Sequence, residues 1–307
     1  MLNYRKTLKN LHLKYLPLLF VFFSRLTFAQ CVEANEQCAP VDEWEFSLAI
    51  GAGLLTNPLH GGSDIPLIII PEISYYGEKI FFENNALGYT FYEAPTFSLS
   101  AISLLNRENS FFNRWHPHNV FVPLNASGIS ESQSDSAPGF GGPIDKDIPP
   151  PEIEVDDVSN RKWALDAGLQ VNWFLSEKNH LVMRLLHDVN NIYNGFNGKI
   201  EFTHRFAGFG TPNTQWKLTT GVNWLSQQQV DYYYGIGEND TQDPNYFYQG
   251  GAALNPYIKI HSNYKLNKNW RITFTARSEL LAKAISDSPL VEDEVIKTIF
   301  LGVVYDY

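Results

Sequence analysis

The sequence predicts an all-β fold: an antiparallel transmembrane β-barrel of about twelve strands, with ten as the alternative count. Three observations predict it. Apolar and polar residues alternate with period two over many segments, each long enough to tilt across a bilayer as a strand of about 9–11 residues. Beyond the N-terminal leader the longest fully apolar run, 66–71, falls far short of a membrane helix, which needs roughly 20 apolar residues. Tryptophan and tyrosine mark the segment ends, as the interfacial girdles of membrane barrels require.

Strands are expected at 44–52, 65–76, 79–84, 86–92, 96–105, 162–174, 180–189, 196–206, 215–225, 251–266, 269–284 and 295–307. Trp163, Leu165, Ala167, Leu169, Val171 and Trp173 share one face, opposite Asp166, Gly168, Gln170 and Asn172, because successive strand side chains point to opposite sides. Trp216, Leu218, Val222 and Trp224 oppose Lys217, Thr219 and Asn223 in the same way. The pair 79–84 and 86–92 is the exception, since neither is long enough to span. The last segment places Ile299, Leu301, Val303, Tyr305 and Tyr307 on one face. An alternating segment with an aromatic last residue resembles the C-terminal signal by which outer-membrane barrels are recognised for insertion, carried here by Val303, Tyr305 and Tyr307. Short connections at 176–179, 207–213 and 267–269 read as periplasmic turns, and 106–160 and 226–250 as extracellular loops. Twelve strands put both termini in the periplasm. The stretch 125–157, rich in Ser, Gly and Pro and then acidic, reads as solvated.

The N-terminus carries Arg5, Lys6, Lys9 and Lys14, an apolar run at 15–23, and Thr27-Phe28-Ala29 with small residues where signal peptidase reads. Residues 1–29 are therefore expected to be a secretory signal. Its removal takes five basic residues and no acid, so 23 basic and 33 acidic residues become 18 and 33, a net charge of −15. That balance argues against nucleic acid, whose binding rests on neutralising phosphates, and is compatible with lipid and lipopolysaccharide, where acidic loops share divalent cations. Cys31 and Cys38 are the only cysteines. In an exported chain they are expected to close a disulfide loop within a periplasmic segment, 30–43. The barrel proper is then 44–307, and its location the outer membrane of a Gram-negative bacterium, inserted by the barrel-assembly machinery.

The chemistry-bearing candidates lie on the inward face: Arg184, Lys199, Glu201, Arg205, Lys217, Lys259, Arg271, Arg277 and Glu279, with Asp166 and Asp188. They read either as an anion-biased pore lining or as paired charges filling a modest barrel, since buried charges need partners. A catalytic reading finds no support. His261-Ser262 and His187-Asp188 alternate to opposite faces and cannot act together locally, and no G-x-S-x-G elbow is present. His116 and His118 read as a plain loop, short of the three or four ligands zinc takes. Glu238, Asp240 and Asp243 lack the spacing of a calcium loop and read as solvated surface. No cofactor is expected.

Particular residues carry a family resemblance. Asp231-Tyr232-Tyr233-Tyr234-Gly235-Ile236 resembles the Tyr-Tyr-Gly-Val segment of the MipA/OmpV family of outer-membrane proteins. Asn255-Pro256-Tyr257-Ile258, then Tyr264-Lys265-Leu266, Asn269-Trp270, Ser286-Asp287-Ser288-Pro289-Leu290-Val291 and Leu301-Gly302-Val303-Val304-Tyr305 follow in order. Gly51-Ala52-Gly53, Asn57-Pro58, Ile65-Pro66, Tyr75-Tyr76-Gly77-Glu78, Phe81-Phe82 and Leu87-Gly88-Tyr89 agree in the N-terminal half. The chain departs from the family near 125–151 and ends on Tyr307 where Phe is usual. The resemblance implies a non-catalytic role: one member is a scaffold between a lytic transglycosylase and a bifunctional murein synthase. It points to structural or scaffolding work tied to cell-wall machinery, with a small-solute channel or a loop-mediated adhesin or receptor as alternatives.

Overall fold

The computed structural model describes residues 42–122, 152–207 and 214–307. Its strands are β1 (Trp44–Leu55), β2 (Ile65–Pro66), β3 (Ile69–Tyr76), β4 (Ile80–Glu83), β5 (Ala86–Ala94), β6 (Phe97–Leu105), β7 (Leu165–Ser176), β8 (Asn179–Asp188), β9 (Phe196–Ala207), β10 (Thr214–Leu225), β11 (Ala253–Lys265), β12 (Trp270–Leu280) and β13 (Val295–Asp306). Each pairs antiparallel with its neighbour, and β13 returns to β1 from Ser47↔Asp306 to Leu55↔Thr298. The result is a closed barrel of twelve strands with the two-residue β2 as an extra, so twelve holds over ten. Closure leaves no free edge along this seam, which a membrane strand requires. No described helix is long and apolar enough to cross a membrane.

The alternation read from sequence sets which wall each side chain joins. Trp44, Phe46, Ile50 and Leu54 of β1 stay exposed on the outer face while Ala49 and Leu55 are buried inside. Leu169 and Trp173, Ile200 and Phe202, and Leu254, Ile258 and Ile260 line the outside of their strands likewise. At the rim that carries the short turns Trp44 packs on Tyr75 (5.1 Å between rings) and Trp270 on Tyr305 (4.9 Å). Tyr305 in turn meets Tyr307 edge-on at 4.7 Å, and the Tyr307 amide donates to the Phe46 carbonyl (3.0 Å). Inside the closing seam Gly51 faces Gly302. A Cβ on Gly51 would stand 2.3 Å from the Leu301 carbonyl and 2.8 Å from the Phe300 ring, so only glycine lets the buried Phe300 lie flat on the wall.

Turn chemistry is local. Ser176 Oγ accepts from the amides of Lys178 and Asn179, and Asn267 Oδ1 from those of Asn269 and Trp270. Asn84 adopts φ 52° in the two-residue turn joining β4 to β5, a conformation asparagine tolerates.

The sequence reading made 65–76 one strand; the chain breaks it into β2 and β3 at Leu67–Ile68. Beyond Ser74, β4 no longer covers β3. Ile73 gives its amide to Asn84 Oδ1 (3.0 Å) and its carbonyl to the Asn84 amide (2.8 Å). Pro71, two residues on, turns the same edge, where no described strand lies beside it. Proline suits that place because it carries no N–H to leave without a partner.

Candidate functional site: the capped lumen

The two long connections fold over one mouth of the barrel. The 106–160 connection opens with a 3-10 helix (Arg107–Phe111) and the short helix α1 (Pro117–Val120). The 226–250 connection forms helix α2 (Gln227–Tyr234), and the β12–β13 loop forms α3 (Lys283–Ser286). Phe111, Val122, Val230, Tyr233, Tyr234, Ile236, Leu281, Ile285 and Leu290 are buried together with Leu55, Leu59, Leu67 and Ile70 of the rim. The Tyr-Tyr-Gly segment of the family resemblance is thus the core of this cap: Tyr233 and Tyr234 are both fully enclosed.

Polar contacts tie the cap down. Tyr234 Oη donates to Glu108, and Ser288 Oγ donates to the Tyr234 carbonyl (2.7 Å). Burial pushes the Glu108 carboxyl up, against the pull of Arg107 and the Tyr234 hydroxyl. Arg161 Nη1 pairs with Asp240 at 2.8 Å while Nη2 donates to the Gly235 carbonyl (2.9 Å). Although burial works the other way, the bonds from Arg161 and Ser159 hold Asp240 below the usual carboxylate range. Asp240 is therefore a half-buried anchor rather than the free surface the sequence suggested. His116 and His118 also depart from a plain loop. Both are buried, and His116 Nδ1 caps α1 by accepting from the His118 amide (3.2 Å). Burial lowers His116 to about 4; burial, then Arg107, lowers His118 well below its ordinary value. Among the described residues no group of three metal-ligating side chains forms.

Below the cap, the nine candidate lumen residues all project inward from β8 to β12. Glu279 gathers Arg277 (2.5 Å), Arg107 of the cap (2.6 Å) and Asn223 (2.8 Å). Glu201 takes Tyr257 Oη (2.6 Å) and Lys199 (3.3 Å). Arg271 reaches across the lumen to Glu72 of β3 (2.9 Å) and to Asp306 (3.3 Å). Lys259 is buried on the same wall. Arg184 donates twice to Gln170 Oε1, at 3.0 and 2.7 Å. Arg205 and Lys217 are half-buried. A cavity of ≈ 90 Å³ remains under the cap, bounded by Arg107, Glu108, Arg184, Lys199, Asn223 and Tyr257 among others.

At the upper rim Asp166 accepts from Tyr193 Oη (2.6 Å), Asn106 Nδ2 (2.6 Å) and Asn197 Nδ2 (2.7 Å). Asp188 accepts the amides of Asn190, Tyr193 and Asn194 and so shapes the β8–β9 loop. His261 bonds Thr275 inside (2.8 Å) with Ser262 on the other face, and outward His187 packs edge-on against Phe196. Ser262 and Asp188 thus lie on the opposite strand face from the histidine beside each of them. His204, on the lipid side, bonds Asn179 Oδ1 (2.8 Å) and stacks on Phe206.

Glu72, Glu83 and Asp306 were missed as lumen groups, although strand parity would have found them. Tyr257, on β11 with the parity of Lys259, was missed in the same way, whereas Arg107 and Glu108 carry no such signal, since their roles depend on how a loop folds back. The expected signal at 1–29, Cys31 and Cys38, most of 125–157 and residues 208–213 of the expected turn lie outside the described residues.

Among known proteins, the chain is 23% identical over 266 residues to the MltA-interacting protein of Escherichia coli (strain K12), covering 86% of this chain and 91% of that one. It is 22% identical over 138 residues to an outer membrane protein of Vibrio anguillarum, 45% of this chain and 52% of that protein. An outer membrane channel from Pseudomonas putida F1 superposes with a TM-score of 0.40 at 11% identity, over 88% of this chain and 97% of that chain. The family model described as MltA-interacting protein MipA matches residues 48–307. The chain is an outer-membrane β-barrel protein that belongs to the MipA family.

Proposed function

We propose that this protein is a non-enzymatic scaffold of the outer membrane. In this reading its periplasmic turns hold a cell-wall enzyme, a murein lytic transglycosylase, near the envelope's outer layer. The observation that carries the proposal is the closed mouth: the loops bury an apolar core over the barrel, and ion pairs brace much of the lumen below. A wall shut this way favours holding a position over passing solute. The name of the Escherichia coli relative supplies the class of partner. Capture of the tagged full chain from native envelopes should bring a lytic transglycosylase with it. Recovery of no cell-wall enzyme would refute the scaffold.

A small-solute channel is the competing reading, and the surplus of inward cations on β8–β12 favours it. Planar-bilayer recording separates the two. The scaffold predicts no stable steps, whereas steady anion-selective steps would establish the channel. An adhesin or receptor role would reside in 125–157, and deleting that stretch should leave the barrel folded while abolishing such binding.

A further inference from the structure

Most lumen charges are spent on one another, but four are not. Glu83 on β4 has no ion pair or side-chain hydrogen bond among the described residues, and neither have Arg205 on β9 or Lys217 on β10; the side-chain bonds of Arg184 on β8 go to the neutral Gln170. All four are half-buried rather than sealed. Their strands place them on the inner wall, so the surface they keep accessible is lumenal. A charge held in such a place costs free energy unless water or a ligand answers it.

They are also arranged by sign. Glu83 feels the charges of Arg184, Lys199 and Lys217 across the lumen, with Glu72 as an acidic neighbour. Lys217 sits among Arg205, Lys259 and Arg271 and faces Glu72. One wall, β3 and β4, is acidic, and the facing wall, β8 to β12, is basic. Yet Glu83 stands beyond ion-pair distance of every described cation. Two facing walls, one with a carboxylate outside any ion pair and the other with cations outside any ion pair, are complementary to a molecule carrying both signs. A simple anion would meet Glu83 and Glu72; a simple cation would meet Lys217 and Arg184. A molecule with an ammonium at one end and a carboxylate at the other satisfies both walls and orients itself in the field between them.

We propose that the mid-lumen is a binding site for a small zwitterion of the amino-acid or dipeptide class, its ammonium toward Glu83 and its carboxylate toward Arg184 and Lys217. The cap closes the outer mouth, so the ligand enters from the periplasm. Small polar side chains line that way in (Ser47, Ser74, Ser98), and accessibility rises to 40% at the Asp306 side chain on the rim. The site goes beyond the scaffold reading and does not depend on any protein partner.

The test uses the full chain in detergent micelles, titrated by calorimetry with diglycine, N-acetylglycine and ethylamine, which carry both charges, the negative one and the positive one. Diglycine should bind saturably and at least about tenfold more tightly than either single-charge probe. Glu83→Gln should remove the advantage of diglycine over N-acetylglycine, and Arg184→Gln with Lys217→Gln should weaken both. The comparison of probes on the unaltered chain stands even where a variant fails to fold. Equal binding of the three probes, or no saturable binding of diglycine, overturns the site.

Discussion

Asp166→Ala should loosen the join between barrel and cap. The carboxylate is 1% exposed and accepts from Tyr193 Oη, Asn106 Nδ2 and Asn197 Nδ2 at 2.6, 2.6 and 2.7 Å. Asn106 is where β6 gives way to the cap, and its Oδ1 accepts from the Glu108 amide to start the 3-10 helix. Of the three donors, Asn106 and Asn197 border the cavity, where water can replace the carboxylate. Asn106 and Tyr193 retain their mutual bond of 3.3 Å, but the Tyr193 hydroxyl loses its acceptor in a dry place. Leaving a buried donor without an acceptor costs about 1–3 kcal/mol each, and hydrogen bonds to a charged group contribute about 1.5–3 kcal/mol. Relief of the carboxylate's own desolvation offsets part of this, so the net loss is about 2–4 kcal/mol. Asp166→Asn keeps one acceptor oxygen and should lose about half as much. Urea unfolding in micelles reads the stability, and limited trypsin digestion at Arg161 and Lys162 reads the cap. Earlier cap cleavage with a lowered urea midpoint is expected. An unchanged midpoint and unchanged cleavage would show that this carboxylate does not hold the cap.

Three further perturbations test other parts of the architecture. Burial holds His116 down to about 4 against an ordinary 6.5, so its contribution of about 3 kcal/mol is complete above pH about 6.5 and lost as pH falls toward 4; amide protection in 107–120, corrected for the intrinsic pH dependence of exchange, should fall over that window, and His116→Phe should reduce the dependence to the part that His118 carries. Gly221→Ala would put a Cβ 2.5 Å from the Tyr257 ring and 2.8 Å from the Ile200 carbonyl, pushing the Tyr257 hydroxyl off Glu201 at a cost of about 1–3 kcal/mol; Tyr257→Phe removes only the hydroxyl contact, so in that background the alanine should still destabilise, by less than in the parent chain. Ile200→Arg places a charge on the lipid face, where Ile200 is 53% exposed, and should cost about 2–4 kcal/mol of bilayer stability, with Ile200→Leu near neutral.

The wall of this barrel was legible from sequence because a strand in lipid obeys one rule repeated at every second residue. The parity that put Leu169 and Trp173 outward also put Asp166 and Gln170 inward, and the pairing register agrees. The short pair at 79–92 was readable as an irregularity, and it is the shallow β4–β5 hairpin. The cap was not legible. Tyr233 and Tyr234 sit in a stretch with no strand alternation, between Gln and Asp residues that suggest solvent. Their burial depends on contacts with Phe112, Tyr193 and Ser288, residues 40 or more positions away in the chain. For the same reason His116, His118 and Asp240 looked exposed. Nothing local in their neighbourhoods says that another loop will fold over them.

The wall and the cap also differ in what stabilises them. Side chains on the outer wall leave water for lipid, so packing strands against one another removes little apolar surface from water beyond what insertion already removed. The cap folds in contact with water, so its buried tyrosines and aliphatic residues contribute as in a soluble core, about 25 cal/mol per Å² of apolar surface buried. Loops held only by such a core, on a scaffold that stays closed without them, open at a lower free energy than the barrel unfolds. Because Arg107 links the cap to Glu279 and Arg277, opening it would also take one cation away from that carboxylate at the top of the lumen. A cap-loosening variant should therefore alter both the accessibility of the mouth and the charge balance beneath it, while the barrel remains folded. Loss of barrel and cap in one cooperative step would contradict this separation.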